Sequence, residues 1–176
     1  MANWIRLVFV ILLCVPLTAC GNQKSGPADA KPQPFNPETL TVPDQGGKKI
    51  RGQVLYMPIY SNIPMDKKNK YDVSAFLAVH NTDLKYRIKI KRIDYFDTEG
   101  RIVKNFITAD QQLDPVATKI FTIPKEDQSG TGANFLIEWI ADQPVNEPLI
   151  ESIMTDLTGT KGLAFISPGK IIREIK

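Results

Sequence analysis

Cysteine is almost missing from this 176-residue chain: there are two, Cys14 and Cys20, both near the N-terminus. From Gly21 onward no thiol remains, which excludes a disulfide, a thiolate metal site and a cysteine nucleophile from that stretch. Histidine is rarer still, with His80 alone. A zinc site built on it would need carboxylates for every other ligand, an unusual set. No metal and no cofactor is expected. Charge of one sign is lacking as well: 22 Lys and Arg against 19 Asp and Glu leave a net +3. No aromatic RNA-binding signature accompanies the basic residues, so nucleic acid is not an expected partner. No apolar run is long enough to span a bilayer; the unbroken run over residues 7–15 is too short.

That short run has another use. It follows Arg6 and ends in Leu17-Thr18-Ala19-Cys20-Gly21, the layout of a secretory signal with a small residue before the cut. The ending resembles the bacterial lipobox, which implies lipid on the sulfur of Cys20 and cleavage before it. The alternative is an ordinary signal peptide with a chance cysteine. On the lipobox reading residues 1–19 are the signal peptide, and the mature chain is extracytoplasmic and held to a membrane by acyl chains on Cys20. Two or more such chains anchor stably where one is marginal. By the same resemblance, Gly21 rather than Asp after the cysteine points to the outer membrane, facing the periplasm, if the source has one.

Residues 20–49 then read as the lipidated cysteine and a proline-rich tether, with Pro27, Pro32, Pro34, Pro37 and Pro43 and few apolar side chains. Such a tether spans about 30 Å as a coil and about 90 Å as polyproline II. The alternative is that Phe35, Leu40 and Val42 dock on the domain, with Thr39–Pro43 as an added strand. Residues 50–176 carry a β pattern throughout. Val73, Ala75, Leu77 and Val79 alternate with more polar neighbours, the period of a strand with one buried face. Asn81-Thr82-Asp83 supplies a turn. In the next run Ile88 and Ile90 are even-numbered, but Ile93 and Tyr95 are odd. A slip of one turns every side chain to the other face, so a bulge near Lys91-Arg92 is expected. Asp97-Thr98-Glu99-Gly100 then closes a hairpin, with Gly in a left-handed position.

Elsewhere Pro58 demotes the run around Val54 and Leu55 to an edge strand or a strand with a break. Residues 62–70 read as a basic loop, and Lys119 to Ile123 as a short strand. Ala133, Phe135, Ile137 and Trp139 form one core face, and apolar Leu136 and Ile140 opposite them indicate a central strand. Residues 142–148 read as a loop with two prolines. Residues 149–157 fit a helix or a strand; strand is chosen because everything around them is β. Further strands are expected at Gly162 to Ile166 and at Ile171-Ile172. The fold expected is all-β: an immunoglobulin-like or fibronectin-like antiparallel β-sandwich of about seven to nine strands.

The segments YMPIYSNI, SAFLAVHNTD, IDYFDTEG, SGTGANFLIEW and GLAFISPGKII resemble a bacterial family known only as a domain of unknown function, with secreted and lipid-anchored members. The resemblance covers about Val54 to Ile172. It implies an all-β envelope domain and assigns no activity, cofactor or catalytic residue.

Candidate chemistry is thin, and each candidate has a plain structural reading beside it. His80 with Asp83 could serve as base and orienter, or His80 could be a solvent-facing strand end. Asp94, Asp97 and Glu99 could run glycoside chemistry or bind calcium, or shape a turn. Ser129-Gly130-Thr131-Gly132 lacks the Lys-Ser/Thr and helix that a phosphate loop needs, which leaves a structural loop. Lys85, Arg87, Lys89 and Lys91, with Arg92, could form a strip for anionic polymer or lipid, or a solvated sheet face. Tyr56 and Tyr60 could form an exposed aromatic patch, or pack at a sheet edge. The function expected is a non-enzymatic, membrane-anchored lipoprotein that binds or scaffolds an unknown envelope protein or polymer. The alternatives are a binder of carbohydrate or anionic polymer, and a hydrolase using His80.

Overall fold

The computed structural model of the chain describes residues 49–158, 160 and 162–175. The expected signal peptide, Cys20 and the expected tether through residue 48 lie outside the described residues. So does the alternative of an added strand at Thr39–Pro43.

Among the described residues there are twelve strands and no helix: β1 (Lys49–Pro58), β2 (Asn62–Pro64), β3 (Lys70–Asp72), β4 (Ser74–His80), β5 (Ile88–Phe96), β6 (Ile102–Asn105), β7 (Gln111–Leu113), β8 (Thr118–Ile123), β9 (Asn134–Asn146), β10 (Leu149–Asp156), β11 (Leu163–Pro168) and β12 (Lys170–Glu174). The count exceeds seven to nine because β2, β3 and β7 are three-residue strands with too few alternations to be read in sequence. The large sheet runs β12-β1-β9-β5-β6, with β7 also on β5; the small sheet runs β11-β10-β4-β8; β2 and β3 pair by themselves. All ladders are antiparallel, and the sheets form a β-sandwich.

One core lies between the two sheets. The large sheet supplies Leu55, Met57, Ile88, Ile90, Ile93, Tyr95, Phe135, Ile137 and Trp139, and the small sheet Ala75, Leu77, Val79, Phe121, Ile123, Ile150 and Met154. Trp139 is fully buried, at the end of the alternating face that starts at Ala133. Phe106 bridges the layers, with its ring 5.8 Å from Phe121 and 5.6 Å from Phe135, both edge-on. The opposite face of β9 carries half-buried Leu136 and Ile140, as befits a strand flanked by β1 and β5.

The expected bulge is present. Ile90 faces Trp139 and Arg92 faces Glu138, leaving Lys91 without a counterpart on β9. The spare residue restores the inward phase for Ile93 and Tyr95, which are buried. The hairpin is also present, with Gly100 at φ 78°. Asp97 holds its turn: the carboxylate accepts the N–H groups of Glu99 (3.0 Å) and Arg101 (2.9 Å) and the Arg101 Nε–H (2.7 Å). Residues 149–156 are strand β10, inserted between β11 and β4.

Three expectations are corrected. Pro58 does not mark an edge strand: β1 is interior, between β12 and β9, and Pro58 is its last residue. A missing N–H costs nothing where the ladder ends, and its carbonyl accepts the Ser152 hydroxyl at 2.8 Å. Residues 142–148 are not a loop throughout, because β9 continues to Asn146. The register jumps from Gly52↔Ile140 to Ile50↔Val145, so residues 141–144 bow out opposite Arg51. Pro144 sits in that bow and withholds no ladder bond. Gly52 permits the crossing, since a Cβ there would lie 2.6 Å from the Trp139 carbonyl oxygen. Finally, residues 62–70 are not one loop but two short strands, β2 and the start of β3, closed by a turn in which Asp66 accepts the N–H groups of Lys68 and Asn69.

Candidate functional site

His80 ends β4 on the outward face of the small sheet. Its Nδ1 lies 2.8 Å from the Thr118 hydroxyl, and its Nε2 lies 4.0 Å from Glu151 Oε1. Asp83 does not orient it. That carboxylate is buried and accepts the backbone N–H groups of Lys85 (2.9 Å), Tyr86 (2.8 Å) and Asn146 (2.8 Å). Its neighbour Asn81 sends its amide to the carbonyls of Tyr86, Leu113 and Asp114. The Asn-Thr-Asp segment is thus a buried clamp between chain segments, and no base–orienter pair is assembled.

The carboxylates of the hairpin are likewise committed. Asp94 is buried and binds Arg92 Nη1 (3.0 Å) and Asn105 Nδ2 (2.7 Å). Asp97 caps its turn, and the N–H groups and guanidinium of Arg101 hold its carboxyl below the ordinary range. No cluster of three metal-ligating side chains occurs among the described residues. The Ser129–Gly132 loop spends its polar groups locally. Gly130 N–H donates to Ser61 Oγ (3.0 Å), Gly132 N–H to Thr98 Oγ1 (3.1 Å), and Thr98 N–H to the Ser129 carbonyl (2.9 Å). Gly130, at φ +97°, allows this, because a Cβ would meet Thr98 Oγ1 at 2.4 Å.

A further buried carboxylate, Asp156 at the end of β10, accepts hydrogen bonds from the Thr158 hydroxyl (2.6 Å) and N–H (3.0 Å) and from the Tyr71 hydroxyl (2.5 Å), and pairs with Lys125 Nζ at 3.0 Å. These donors, the Thr158 hydroxyl foremost, hold its carboxyl well below the usual carboxylate range. Fully satisfied, it fastens β3 and the 123–127 turn region to the small sheet.

The two tyrosines are separated. Tyr56 is exposed on the outer face of the large sheet. Tyr60 lies beyond the end of β1 with its ring 6.1 Å from Phe165, lining a ≈ 360 Å³ apolar hollow with Ile63 and Pro64.

The basic strip is drawn apart. Lys85 lies in the turn before β5, its Nζ 5.3 Å from the centre of the Tyr86 ring. Arg87 binds Gln112 (2.8 Å) and Asp114 (3.4 Å). Lys89 pairs with Asp142 (2.8 Å) on β9, and Lys91 with Asp110 (2.5 Å) on the opposite side. Each of these three cations meets a carboxylate.

What sequence reading missed is a row across four strands. Arg173 on β12 faces Val54 on β1, Val54 faces Glu138 on β9, and Glu138 faces Arg92 on β5. A ≈ 340 Å³ cleft lies over this row, lined by Val54, Arg92, Leu136, Glu138, Ile172 and Arg173. Arg92 binds Asp94 and stands 3.7 Å from Glu138; Arg173 makes no ion pair or side-chain hydrogen bond among the described residues. A second cleft of ≈ 460 Å³ begins at the same Arg92 and continues over Lys91, Asp94, Ile102, Asn105, Ile107 and Thr108. Arg92 was visible as part of the phase slip. Arg173 carried no signal, because nothing local in the sequence says that β12 lies beside β1.

Two of the bulges build these clefts. On β5 the spare Lys91 leaves Lys91 and Arg92 both outward and exposed. On β12 the register passes from Arg173 to Ile171, and the skipped Ile172 lines the cleft together with Arg173. An unbroken strand would send one of each pair to the other face.

Comparison with known proteins assigns no activity. A family model described as "Protein of unknown function (DUF3124)" matches residues 52–172. No curated protein matches the chain. Among solved structures, a Thermotoga maritima protein, titled "Crystal Structure of Thermotoga maritima 1070", is 12% identical, with a TM-score of 0.40 over 69% of this chain and 93% of that one.

Proposed function

We propose, starting from a chain that belongs to the DUF3124 family of proteins of unknown function, that it is a non-enzymatic binding module, anchored in the cell envelope by lipid on Cys20, with the outer face of the large sheet as its working surface. The observation that carries the reading is the pair of bulges that bring Lys91, Arg92, Ile172 and Arg173 onto one face around two adjoining clefts. Tyr56 stands on the same face. Bulges re-aim side chains and are frequent beside functional sites. The hydrolase alternative loses its support, since His80 has Thr118 and Glu151 for neighbours and Asp83 is bound to backbone.

The test uses full-length chain in cells, with a photo-crosslinking side chain at Tyr56 or at Ile120 on the outer face of the small sheet. Adducts at position 56 and none at position 120 are expected. Adducts only at position 120 would move the working surface to the other sheet. Cys20→Ala should release the protein from the membrane fraction and abolish fatty-acid labelling; a variant that still floats with membrane ends the anchoring part of the proposal.

A further inference from the structure

Resting on that reading, we propose that the ligand of this face is a linear acidic polysaccharide, laid across the strands in the groove that the two clefts make on either side of Arg92. The groove runs from β12 over β1, β9 and β5 to β6. That is four inter-strand spacings, about 19 Å, room for several sugar rings in a row. Its floor is aliphatic: Val54, Leu136 and Ile172 on one side of Arg92, Ile102 and Ile107 on the other. Such a floor suits the C–H faces of sugar rings. Glu138, Asn105 and Thr108 stand along it as hydrogen-bonding partners for hydroxyl groups.

Arg173 calls for an anionic polymer. Lys91 is paired with Asp110, and Arg92 with Asp94 and Glu138, so Arg173 is the groove's cation left without a carboxylate among the described residues. Asp94 is already occupied by Arg92 and Asn105. Arg173 has no partner among the described residues, and its planar fork matches a carboxylate. A peptide fits less well. Extended peptides bind mainly by adding a strand to an open sheet edge. This groove lies on a sheet face, over strands β1, β9 and β5, which are each paired on both sides. Only side chains are offered, and the track crosses the strands.

Affinity electrophoresis of the full-length lipidated chain in detergent tests this, with polygalacturonate, neutral dextran and polyglutamate in the gel. Polygalacturonate should retard the protein, dextran should not, and polyglutamate should retard it much less. Arg173→Gln, which breaks no ion pair or side-chain hydrogen bond among the described residues, should weaken the polygalacturonate effect roughly tenfold, the scale of one charge-assisted hydrogen bond. Lys85→Glu, outside the groove, should change it little. Equal retardation by polyglutamate would overturn the polysaccharide and leave a face that binds by charge alone. Retardation that Arg173→Gln leaves intact would overturn the groove. If neither polyanion retards the protein while crosslinks still form at position 56, the ligand inference falls and the binding reading stands. Loss of both removes the two together.

Discussion

On the small sheet, β10 pairs with β11 and β4, and β4 with β8, in unbroken register. Its outer face is therefore a lattice of straight rows: Ile166, Ile153, Phe76 and Thr122 in one, and Pro168, Glu151, Ala78 and Ile120 in the next. On the large sheet the ladders of β1 with β12, β1 with β9, β5 with β9 and β5 with β6 all shift register. Regular pairing makes a face out of every second residue, so its composition is whatever the alternation leaves over. A bulge places two consecutive residues on one face and bends the strand, which is how neighbouring cations and concave clefts arise on only one side of this sandwich. The inner faces show no such contrast. Both are mainly apolar, interrupted by buried but uncharged Gln53 on β1 and Ser152 on β10, because a side chain turned the wrong way there would bury charge.

Four changes would break or sharpen that contrast. The largest effect should come from the core that the two sheets share. Trp139→Ala should cost roughly 3–5 kcal/mol, read by urea titration; a loss below about 1 kcal/mol, the scale of a surface change, would mean that the ring does not hold the sheets together.

Next comes acid. Asp156 on the small sheet and Asp97 on the large-sheet hairpin both have carboxyls held below their ordinary values. The stability they contribute is present in full above about pH 4, the unfolded value, and is lost as pH falls through the lowered folded values. Asp156→Asn should lower the urea midpoint at pH 7 and flatten its fall between pH 4 and pH 2, more than Asp97→Asn does. An unchanged slope in the Asp156 variant would deny that its network matters to folding.

Deleting Lys91 tests the bulge itself. Removal brings Ile88, Ile90, Ile93 and Tyr95 into one alternating phase, so the fold should survive with a loss of about 1 kcal/mol or less, while retardation by polygalacturonate drops. A deletion variant that unfolds would show that the bulge sets the curvature of the sheet rather than its outer surface.

Smallest of all, Ile120→Lys or Ile166→Lys should shift stability by no more than about 0.5 kcal/mol and leave polymer retardation unchanged, since these exposed side chains on the small sheet lie outside the groove. A binding change would place the ligand on both faces.

Alternation of apolar residues, read over a handful of positions, located β4, β5, β8 and the first half of β9, and the shift from Ile90 to Ile93 marked the Lys91 bulge. Asp97 and Gly100 marked the hairpin because turn geometry selects residue types locally. These features were legible since each depends only on near neighbours along the chain. The extension of β9 past Pro144 was hidden, because whether a proline breaks a strand depends on what its partner strand does opposite it. For the same reason His80 looked available to Asp83 three residues away, when Asp83 was destined for the N–H of Asn146.

By itself, then, the sequence determined the all-β class, most strand positions, the inward phase of β4, β5 and β9 and the place of one bulge, all consequences of local sterics and period-two burial. Tertiary structure alone decided that β12 lies beside β1 and β5 beside β9. Strand neighbours are chosen by long-range packing of whole faces, and no short stretch of chain encodes them. That choice set Arg173, Val54, Glu138 and Arg92 in one row, divided Lys89 from Lys91 between two different carboxylates, and turned a scatter of unremarked residues into the two clefts on one face of the protein.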